Sequence, residues 1–573
     1  MSVDKISKFV SQLVELGLLQ SEIFTGDRCA AYNQSTYPSA NQNILAIRPA
    51  PEADTGEARY SKILSIINTA KRHCVHLYPI SKGKNWGYGS NLPNKNGAVL
   101  VDLSLFDKIS GYDIPTHQIT VEPGVTQQHL YEYLQSKGEQ HWMDATGGPI
   151  DSSILGNTLE RGFGHTLNAE HAKNIIHLNV AIPWGENKSA SINSSGLLGS
   201  WNASSGKPRV VALGGEHHLS FVQSNLGIVL NMTIRLMPKP EDFCAFFIDI
   251  KEQKFNDFIK LAHELKQCNI IQSASHIGNK HKAVEMVLKQ DYRNKLGSKQ
   301  RLSKEILEDI CKHYGLADWT ASGGFYGTKL QVAANRKELS KRIATLGLKA
   351  IYIDDFRLRA AMKLKHFMAN TKYGRILRLL LTRLGLGVRL NKLELLDDLH
   401  ALYNLKKGIP TNHFIRTIYV LSRDSEKNIG NNLNPDRDKI GLLWLAPCSE
   451  VSPEAANFLV DIMKTNCETY GIEPAISLTL LNGHTMECVL SITFDAYEDK
   501  DTQRAINCHQ RILFQATQKG YMPYRLSTIS ASQDLSQYAK QTFQPLSLKH
   551  YCDPLNIISP GRYVNTVSDN LTQ

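Results

Sequence analysis

The spacing of apolar residues in the first 240 positions predicts short strands intermixed with helices. Apolar side chains recur at helical spacing within 59–74, at Ile63, Ile66, Ile67 and Ala70. The strand-like runs are VHLYPI at 75–80, GAVLVDLS at 97–104, QITVEPG at 118–124, IIHLNVAI at 175–182 and the run that leads into Pro238. Between two of them, Thr126 can cap the start of a helix that Gly138 ends. This mixture is typical of an α+β domain.

A different pattern follows Pro240 and predicts a domain boundary near residue 240. Longer helical patterns dominate there, at 253–268, 301–315, 335–345 and 356–408. Three runs have the composition of strands, at 415–421, 442–446 and 486–494. Just before the boundary, the Ser- and Gly-rich segment 190–210 predicts a long loop.

Length and composition are those of a globular protein with more than one domain. The chain has 573 residues, which is more than a single core usually holds. It is 42% apolar and 21% charged, and no apolar run reaches the length of a membrane span. The first residues are amphipathic and include Asp4 and Glu15, a pattern typical of a surface helix and not of a signal peptide. We therefore expect a cytoplasmic protein.

The ten cysteines are scattered along the chain. The nearest two, Cys448 and Cys467, are nineteen positions apart, so no zinc-binding spacing occurs. The histidines also lack metal-ligand spacing and carboxylate neighbours. The sequence predicts free thiols and no metal site.

The net charge of +11 is unevenly distributed. The stretch 356–393 contains ten Lys or Arg and no Asp or Glu, with leucines between them. One interpretation is a helical subdomain with a solvated basic face. The other is a surface for an anionic membrane or an acidic partner. No nucleic-acid-binding motif accompanies the stretch, so no nucleic-acid partner is expected.

The loop PISKGKNWGYGS at 79–90 is the strongest candidate for a binding site. Gly83, Gly87 and Gly89 follow directly after a predicted strand. Glycine adopts positive φ and lets backbone N–H groups approach an anion such as a pyrophosphate. The loop has neither the ending of a P-loop nor the spacing of a Rossmann turn. If it binds a nucleotide cofactor, the fold must be a different one.

Several segments in a fixed order resemble the flavoproteins of the vanillyl-alcohol oxidase and 4-cresol dehydrogenase type. The segments that carry the resemblance are PISKGKNWGYGS, VEPGVTQQHLYEYL, SSILGNTLERGFGHT, FVQSNLGIVLNMTIRLMPKP, GIPT at 408–411, GYMPYR at 520–525 and DPLNIISPGRY at 553–563. The resemblance implies an FAD-binding domain of two α+β subdomains (1–240), a substrate-binding cap domain with an antiparallel sheet and helices (241–518), and a C-terminal return to the FAD domain (519–573).

The resemblance also assigns residues to the cofactor. Those expected to bind FAD are Ile80, Lys82, Gly83, Lys84, Asn85, Gly87, Tyr88, Ser153, Leu155, Gly156, Asn157, Glu160, Gly162, His165, Gly227, Ile228 and Arg562. Arg562 would add charge-assisted hydrogen bonds to a phosphate or to the flavin.

The catalytic residues implied by the resemblance are Tyr88, Tyr524, Arg525 and His165. In phenol-oxidising relatives, two tyrosines and an arginine bind the phenolic oxygen, which favours the phenolate. The phenolate then drives hydride loss from the para benzylic carbon to the flavin. The alternative is that Tyr88 only packs on the flavin and that Tyr524 and Arg525 are structural, with the arginine balancing a flavin oxygen. His165 stands where these relatives have tyrosine, and it would be an active-site base or only a flavin contact.

Two departures from the family concern the flavin linkage. Leu442 stands where relatives attach FAD covalently, and Asn85 replaces a histidine that other relatives use. Both predict noncovalent FAD. A third departure is Asp151, which lies close to the position of a family aspartate but out of register.

The resemblance leaves the substrate, partners and electron acceptor open. A para-substituted phenol is the leading substrate, and a non-phenolic alcohol, amine or specialised metabolite is the alternative. A non-redox reaction of the alkylglycerone-phosphate synthase kind is a further alternative. A homodimer is expected from the relatives, and either oxygen or a cytochrome would reoxidise the flavin.

Overall fold

The computed structural model describes residues 3–54, 56–184, 189–193, 217–288, 291–296, 301–423, 432–531 and 543–563. Helices and strands are mixed along this part of the chain, which confirms the α+β class. The described helices include none that is long and apolar enough to cross a membrane.

The first sheet contains the strand that leads into the glycine loop. Its four strands lie in the order Ile23–Phe24, Asn43–Ile47, Ala98–Asp102 and Leu77–Ile80. The last three run parallel, and their apolar residues are buried against the helices Val3–Glu15 and Ser61–His73. Leu77 also pairs with Ile558, so the C-terminal segment returns to this sheet.

The second sheet is antiparallel and carries the second candidate cofactor loop. Its strands lie in the order Ile109–Asp113, Gln118–Val121, Ile228–Arg235, Ile175–Ala181 and Ser189–Asn193. The helices Gln127–Ser136 and Ile154–Leu159 accompany it, and a small two-stranded sheet joins His141–Trp142 to Met237–Pro238. As predicted, the Thr126 side chain caps the first of these helices by accepting from the His129 N–H.

The third sheet, called here the large sheet, has eight antiparallel strands. Seven lie in the order Ala350–Ile353, Asp242–Ile250, Trp319–Gly327, Ser275–Asn279, Ala475–Leu480, Thr485–Phe494 and Gly441–Leu445, and Cys448–Glu450 pairs with Thr485–Phe494. The helices Phe255–Gln267, Lys329–Ala344, Pro453–Thr469 and Asp499–Gln518 cover one face. Because side chains alternate along a strand, every second residue points to the opposite face.

The remaining helices lie around the large sheet and near the C-terminus. They are Lys280–Leu288, Asp291–Asn294, Lys304–Tyr314, Asp355–Asn370, Lys372–Leu381, Gly387–Asn391, Leu396–Leu405, Thr528–Ala531 and Phe543–Cys552. Short helices also lie at Gly26–Ala30 and, as 3-10 turns, at Gln20–Glu22, Ala31–Asn33, Glu57–Tyr60, His171–Asn174, His217–Phe221, Glu252–Lys254 and Lys392–Leu395, with a π-turn at Thr382–Leu386. The helical pattern at 356–408 is therefore confirmed in type but is divided into several pieces.

Two sequence-based predictions of secondary structure are wrong. The run 415–421 forms the 3-10 helix His413–Tyr419 and not a strand, because Ile415, Ile418 and Tyr419 are buried together at helical spacing. The predicted loop 190–210 begins with strand residues, since Ser189–Asn193 pairs with Ile175–Ala181. The rest of the predicted loop, 194–210, and the following residues 211–216 lie outside the described residues.

Candidate active site

A cleft lies where the glycine loop, the segment Ser153–Glu160 and the C-terminal segment meet. Most residues expected to bind the cofactor line it: Ile80, Lys82, Gly83, Lys84, Asn85, Ser153, Leu155, Gly156, Asn157, Glu160, Gly227, Ile228 and Arg562. Arg525, expected to be catalytic, lines it as well. Three segments that are far apart in sequence therefore form one concave surface.

Four of the expected cofactor residues lie beside the cleft and do not line it: Gly87, Tyr88, Gly162 and His165. Gly87 has φ +74°, and a Cβ built there would lie 2.2 Å from Cδ1 of Trp444 on the large sheet. Its N–H donates to Thr36 Oγ1, and its carbonyl accepts from the Trp444 N–H at 3.2 Å. Gly87 therefore fixes the loop against the large sheet.

The sequence analysis missed several residues that line the cleft, among them Tyr78, Ser81, Gln223 and Ser559. Their positions carried a signal, since Tyr78 and Ser81 flank the start of the glycine loop and Ser559 lies within DPLNIISPGRY. Gln223 carried a signal of the same kind, because it lies within FVQSNLGIVLNMTIRLMPKP.

Glu160 is the centre of the buried charges in the cleft. Arg562 Nη2 donates to its Oε1 at 2.6 Å, and the Tyr563 hydroxyl donates to its Oε2. Arg525 Nε donates to the Glu160 carbonyl oxygen at 2.9 Å. Burial alone would raise the pKa of Glu160, but the charges of Arg562 and Arg525 hold it below the usual value. The carboxylate thus stays ionised and fixes Arg562, while the backbone carbonyl of Glu160 fixes Arg525.

These donors suit a dinucleotide with a pyrophosphate, such as FAD. Backbone N–H groups of the glycine loop and the side chains of Lys82, Lys84 and Arg562 surround the same space. Lys84 also pairs with Asp151 at 2.9 Å, and the Asp151 side chain is 54% exposed. The doubtful Asp151 is therefore a surface partner of the loop lysine in this structure.

Comparisons with known proteins agree with this reading of the cleft. The family model described as FAD binding domain matches residues 58–191. The 1'-carboxy-chondrochloren decarboxylase of Chondromyces crocatus is 28% identical over 538 residues, which cover 93% of each chain. The 4-cresol dehydrogenase [hydroxylating] flavoprotein subunit of Pseudomonas putida is 23% identical, over 94% of this chain and 91% of that one.

A solved structure of p-cresol methylhydroxylase with substrate bound superposes with a TM-score of 0.78. It is 21% identical and covers 99% of this chain and 98% of its own, so it shows the fold. The comparisons therefore give an FAD-binding domain at residues 58–191 and a fold along the whole chain that is similar to that of p-cresol methylhydroxylase.

The structure brings Tyr88, Tyr524 and Arg525 together beside the cleft. The Tyr88 hydroxyl donates to the Tyr524 hydroxyl at 3.4 Å, and the rings meet edge to face. The Arg525 guanidinium lies 4.9 Å from the centre of the Tyr88 ring and 5.3 Å from that of Tyr524. Tyr524 is positioned from the large sheet, because its N–H donates to the Ala446 carbonyl at 2.9 Å.

Both hydroxyls of this pair are kept protonated. Burial raises the pKa of Tyr524 and raises that of Tyr88 well above the ordinary value. The pKa of Arg525 is raised despite burial by its interactions with Tyr524, Glu160 and Tyr88. Two neutral hydroxyl donors and one fixed cation therefore face the same small region.

Glu487 is a further residue of this region, which the sequence analysis did not select. It is buried, and one of its carboxylate oxygens has no hydrogen-bond partner within the described part of the chain. Burial raises its pKa to about 8, and the charge of Arg525 opposes that shift. The signal was present in the strand MECVLSITF, where Met486 and Cys488 point into the core and Glu487 to the other face.

His165 lies on the far side of Phe163 from the tyrosine pair. Its ring is 4.3 Å from that of His276, between ring centres. Burial and then the charge of His276 hold the pKa of His165 well below the usual value. Its imidazole is therefore neutral at neutral pH.

Leu442, the position at which relatives attach the flavin, is buried in a cluster with Trp86 and Ile440. Its backbone N–H donates to the Thr36 carbonyl, and its own carbonyl accepts from the Thr36 hydroxyl. Leucine offers no atom for a covalent link, so noncovalent FAD stays a prediction that rests on the residue type.

Proposed function

We propose that this protein oxidises the benzylic carbon of a para-substituted phenol with bound FAD as the electron acceptor. The observation that carries the proposal is the cluster of Tyr88, Tyr524 and Arg525. The two tyrosines are 436 residues apart in sequence, yet their hydroxyls lie within hydrogen-bonding distance of each other beside the FAD cleft. Phenol recognition needs this set of donors, whereas packing on a flavin does not.

The chain's own residues would bind and activate the phenol. A free phenol has a pKa of about 10, and two hydroxyl donors with a guanidinium lower it by stabilising the phenolate. Each unit of that shift is worth about 1.4 kcal/mol in favour of the anion. The phenolate pushes electron density toward the para carbon, which labilises the benzylic C–H bond. Burial of the cluster excludes water, which strengthens these interactions.

The cofactor would be held by the glycine loop together with the side chains of Glu160, Arg562, Lys82 and Lys84. Bound FAD supplies the acceptor for the two electrons that leave the substrate. We propose that it is held noncovalently, because Leu442 and Asn85 replace the residues that could form a bond. Acid precipitation would then release the flavin into the supernatant, and flavin that stays in the pellet would contradict noncovalent binding.

The decisive experiment follows anaerobic bleaching of the flavin in the purified holoprotein after addition of 4-ethylphenol. We expect bleaching by wild type and a loss in rate of about ten- to hundredfold in Tyr524→Phe, since one charge-assisted hydrogen bond to the phenolate disappears. Tyr521→Phe is the matched control, because the Tyr521 hydroxyl is near Glu450 at the surface.

Each outcome has one meaning for the proposal. Bleaching that is slowed in Tyr524→Phe and unchanged in Tyr521→Phe supports it. No bleaching of wild-type flavin by 4-ethylphenol or its para-substituted homologues overturns it. In that case, bleaching by a non-phenolic alcohol or amine would support the second substrate class, and no bleaching by either class would favour a non-redox reaction.

A second candidate function is oxidation of a phenol together with loss of a carboxyl group. It is favoured by the relative from Chondromyces crocatus, whose name is that of a decarboxylase and which matches along 93% of this chain. Carbon dioxide release during flavin bleaching by a carboxylated phenol would distinguish this function from simple oxidation.

The physiological acceptor of electrons and the assembly state are also proposals. We propose oxygen or a cytochrome as the acceptor and a homodimer as the assembly, as the family resemblance implies. Mixing reduced protein with oxygen distinguishes the acceptors, since rapid return of the flavin colour identifies an oxidase.

A further inference from the structure

A cluster of buried basic side chains lies between the second sheet and the large sheet. His165 follows the segment Ser153–Glu160, His276 lies on the strand Ser275–Asn279, and Lys406 follows the helix Leu396–Leu405. Their atoms His165 Nδ1, His276 Nε2 and Lys406 Nζ are buried, and they have no hydrogen-bond partner among the residues that the structure describes. The Lys406 side chain is completely buried.

The nearest carboxylate does not neutralise this cluster. Asp144 accepts with Oδ1 from the N–H groups of His165 and Thr166, and with Oδ2 from His171 Nε2 at 2.6 Å. Lys406 lies near enough for the charge of Asp144 to raise its pKa, but it forms no ion pair with it in the described structure. A buried ammonium without an anion is unfavourable, so the site is suited to a ligand that supplies one.

The pKa shifts in this cluster also indicate that too little negative charge surrounds it. Burial lowers the pKa of Lys406 to about 7, with a further lowering by the charge of Lys266. Burial and the charge of Lys406 lower that of His276 to about 3, which the nearby Gly164 carbonyl partly opposes. Lys266 does not join the cluster as a free donor, because its Nζ donates to the Ser273 carbonyl at 2.7 Å.

The cluster is adjacent to the proposed phenol site. The Phe163 ring meets the Tyr524 ring edge to face at 5.6 Å and stacks on the His276 ring at 6.3 Å, between ring centres. Only one aromatic side chain therefore separates the two sets of polar groups. The Lys406 backbone is held in place, because its carbonyl accepts from the Tyr326 hydroxyl at 2.7 Å.

We propose that His165, His276 and Lys406 form an anion subsite that holds a carboxylate on the para substituent of the substrate. The subsite rests on the proposed function, since it extends the phenol site of Tyr88, Tyr524 and Arg525. The substrate class is then a phenol whose para side chain ends in, or carries, a carboxylate. Lys406 supplies the charge, and the two imidazoles supply hydrogen-bond donors. The His276 ring is oriented by stacking on Phe163 and by the hydrogen bond between its Nδ1 and Thr479 Oγ1 at 3.2 Å.

The test measures binding to the holoprotein through changes in the flavin spectrum. The probes are 4-hydroxyphenyl acids with side chains of two, three and four carbons, each paired with its neutral amide. For the acid that binds best, we expect wild type to prefer the acid over its amide at least tenfold. In Lys406→Met this preference should fall about ten- to hundredfold, because a charged hydrogen bond is lost.

Two further variants separate a binding role from a structural one. Lys406→Arg should recover part of the preference because it restores the charge. Lys407→Met is the matched control, since Lys407 lies next in sequence but pairs with Asp355 at 3.0 Å, away from the cluster. Equal affinity for acid and amide in wild type at every chain length would overturn the subsite, as would an unchanged preference in Lys406→Met.

The acid 3-phenylpropanoate, which lacks the hydroxyl, separates failure of the subsite from failure of the proposed function. If it binds in a way that depends on Lys406 while phenols do not bleach the flavin, the subsite stands and the phenol oxidation falls. If phenols bleach the flavin but the acids bind no more tightly than their amides, the anion subsite is overturned and the proposed phenol oxidation is supported.

The affinity for the acids should depend on pH with a defined sign. Below pH 7 Lys406 is protonated before binding, so affinity should be highest there. Above pH 7 the lysine must take up a proton on binding, so affinity for the acids should fall by up to tenfold per pH unit. The other titratable groups that face the same region are His165, His276, His171, Asp144 and Lys266. A preference for the acid over the amide that does not change between pH 6 and 9 would contradict the role of Lys406.

Discussion

At the scale of single residues, the site depends on buried charges that are fixed by partners distant in sequence. The Glu160 carboxylate accepts hydrogen bonds from Arg562 and Tyr563, and the Glu160 backbone carbonyl accepts one from Arg525. The sequence motifs were sufficient to select Glu160, Arg525 and Arg562. They could not select His276 or Lys406, because the chemistry of these residues appears only when distant segments fold against one another.

Removing the charge of Glu160 should weaken the cleft. In Glu160→Gln the two arginines lose a buried counter-ion, and we expect the free energy of unfolding to fall by about 3 kcal/mol, with lower FAD affinity. Urea unfolding and FAD titration measure both. The folded pKa of Glu160 is lowered, so its contribution is present above pH 4.5 and is lost as pH falls below that value. The difference between wild type and variant should shrink accordingly.

A surface ion pair provides the comparison for Glu160. Glu139 pairs with Lys239 at 2.6 Å, but both side chains are about a third exposed or more. Glu139→Gln should cost less than about 1 kcal/mol. Equal losses in the two variants would mean that the buried network does not stabilise the cleft.

At the scale of structural elements, the glycine loop is held from two sides. The strand Leu77–Ile80 leads into it, and the strand Gly441–Leu445 of the large sheet packs against it through Trp444. The strand before the loop was predicted correctly, since its apolar run and the following glycines are local signals. The run 415–421 was misread because a short apolar run fits both strand and helix, and only its burial beside Trp86 decides between them.

Two glycine substitutions, one in this loop and one beyond it, separate backbone strain from packing. Gly97 has φ +80° with open space around its Cα, so Gly97→Ala should cost about 1 kcal/mol of stability. Gly87 has a similar φ, but a Cβ there would collide with Trp444, so Gly87→Ala should cost about 1–3 kcal/mol more and reduce FAD content. Thermal unfolding and the flavin-to-protein absorbance ratio check both. Equal effects would show that contact with Trp444 is not what holds the loop.

At the scale of the whole molecule, the basic stretch 356–393 forms a largely exposed helical surface that is anchored to a core cluster through Leu358. The helices Asp355–Asn370 and Lys372–Leu381 and the following turn expose large apolar side chains: Phe356, Leu364, Phe367, Tyr373, Ile376, Leu377, Leu379, Leu380 and Leu384. Some of the basic residues pair with acidic groups, as Lys365 does with Asp397 and Arg378 with Glu394. The interpretation as a merely solvated basic face does not explain so many exposed apolar side chains.

Binding to an anionic membrane surface therefore remains the prediction for this stretch. We expect the protein to sediment with phosphatidylserine-containing vesicles at low salt, and less with neutral vesicles or at high salt. Leu384 is 74% exposed, and Leu384→Glu should reduce this binding several-fold. Leu330 is 83% exposed on another helix, so Leu330→Glu is the matched control. Equal sedimentation with anionic and neutral vesicles, or equal loss in the two variants, would contradict the prediction.

The pairing of the C-terminal segment with the first sheet has a consequence for the order of events during synthesis. Arg562, which binds Glu160, follows it by 402 positions, and Ile558 pairs with Leu77. At translation rates of about 5–20 residues per second, the ribosome needs about 20–80 s to travel between them. Until then the cleft lacks its arginine and one edge. Cofactor loading should therefore wait until residues 558–562 have been made, so that a nascent or truncated product without them stays colourless.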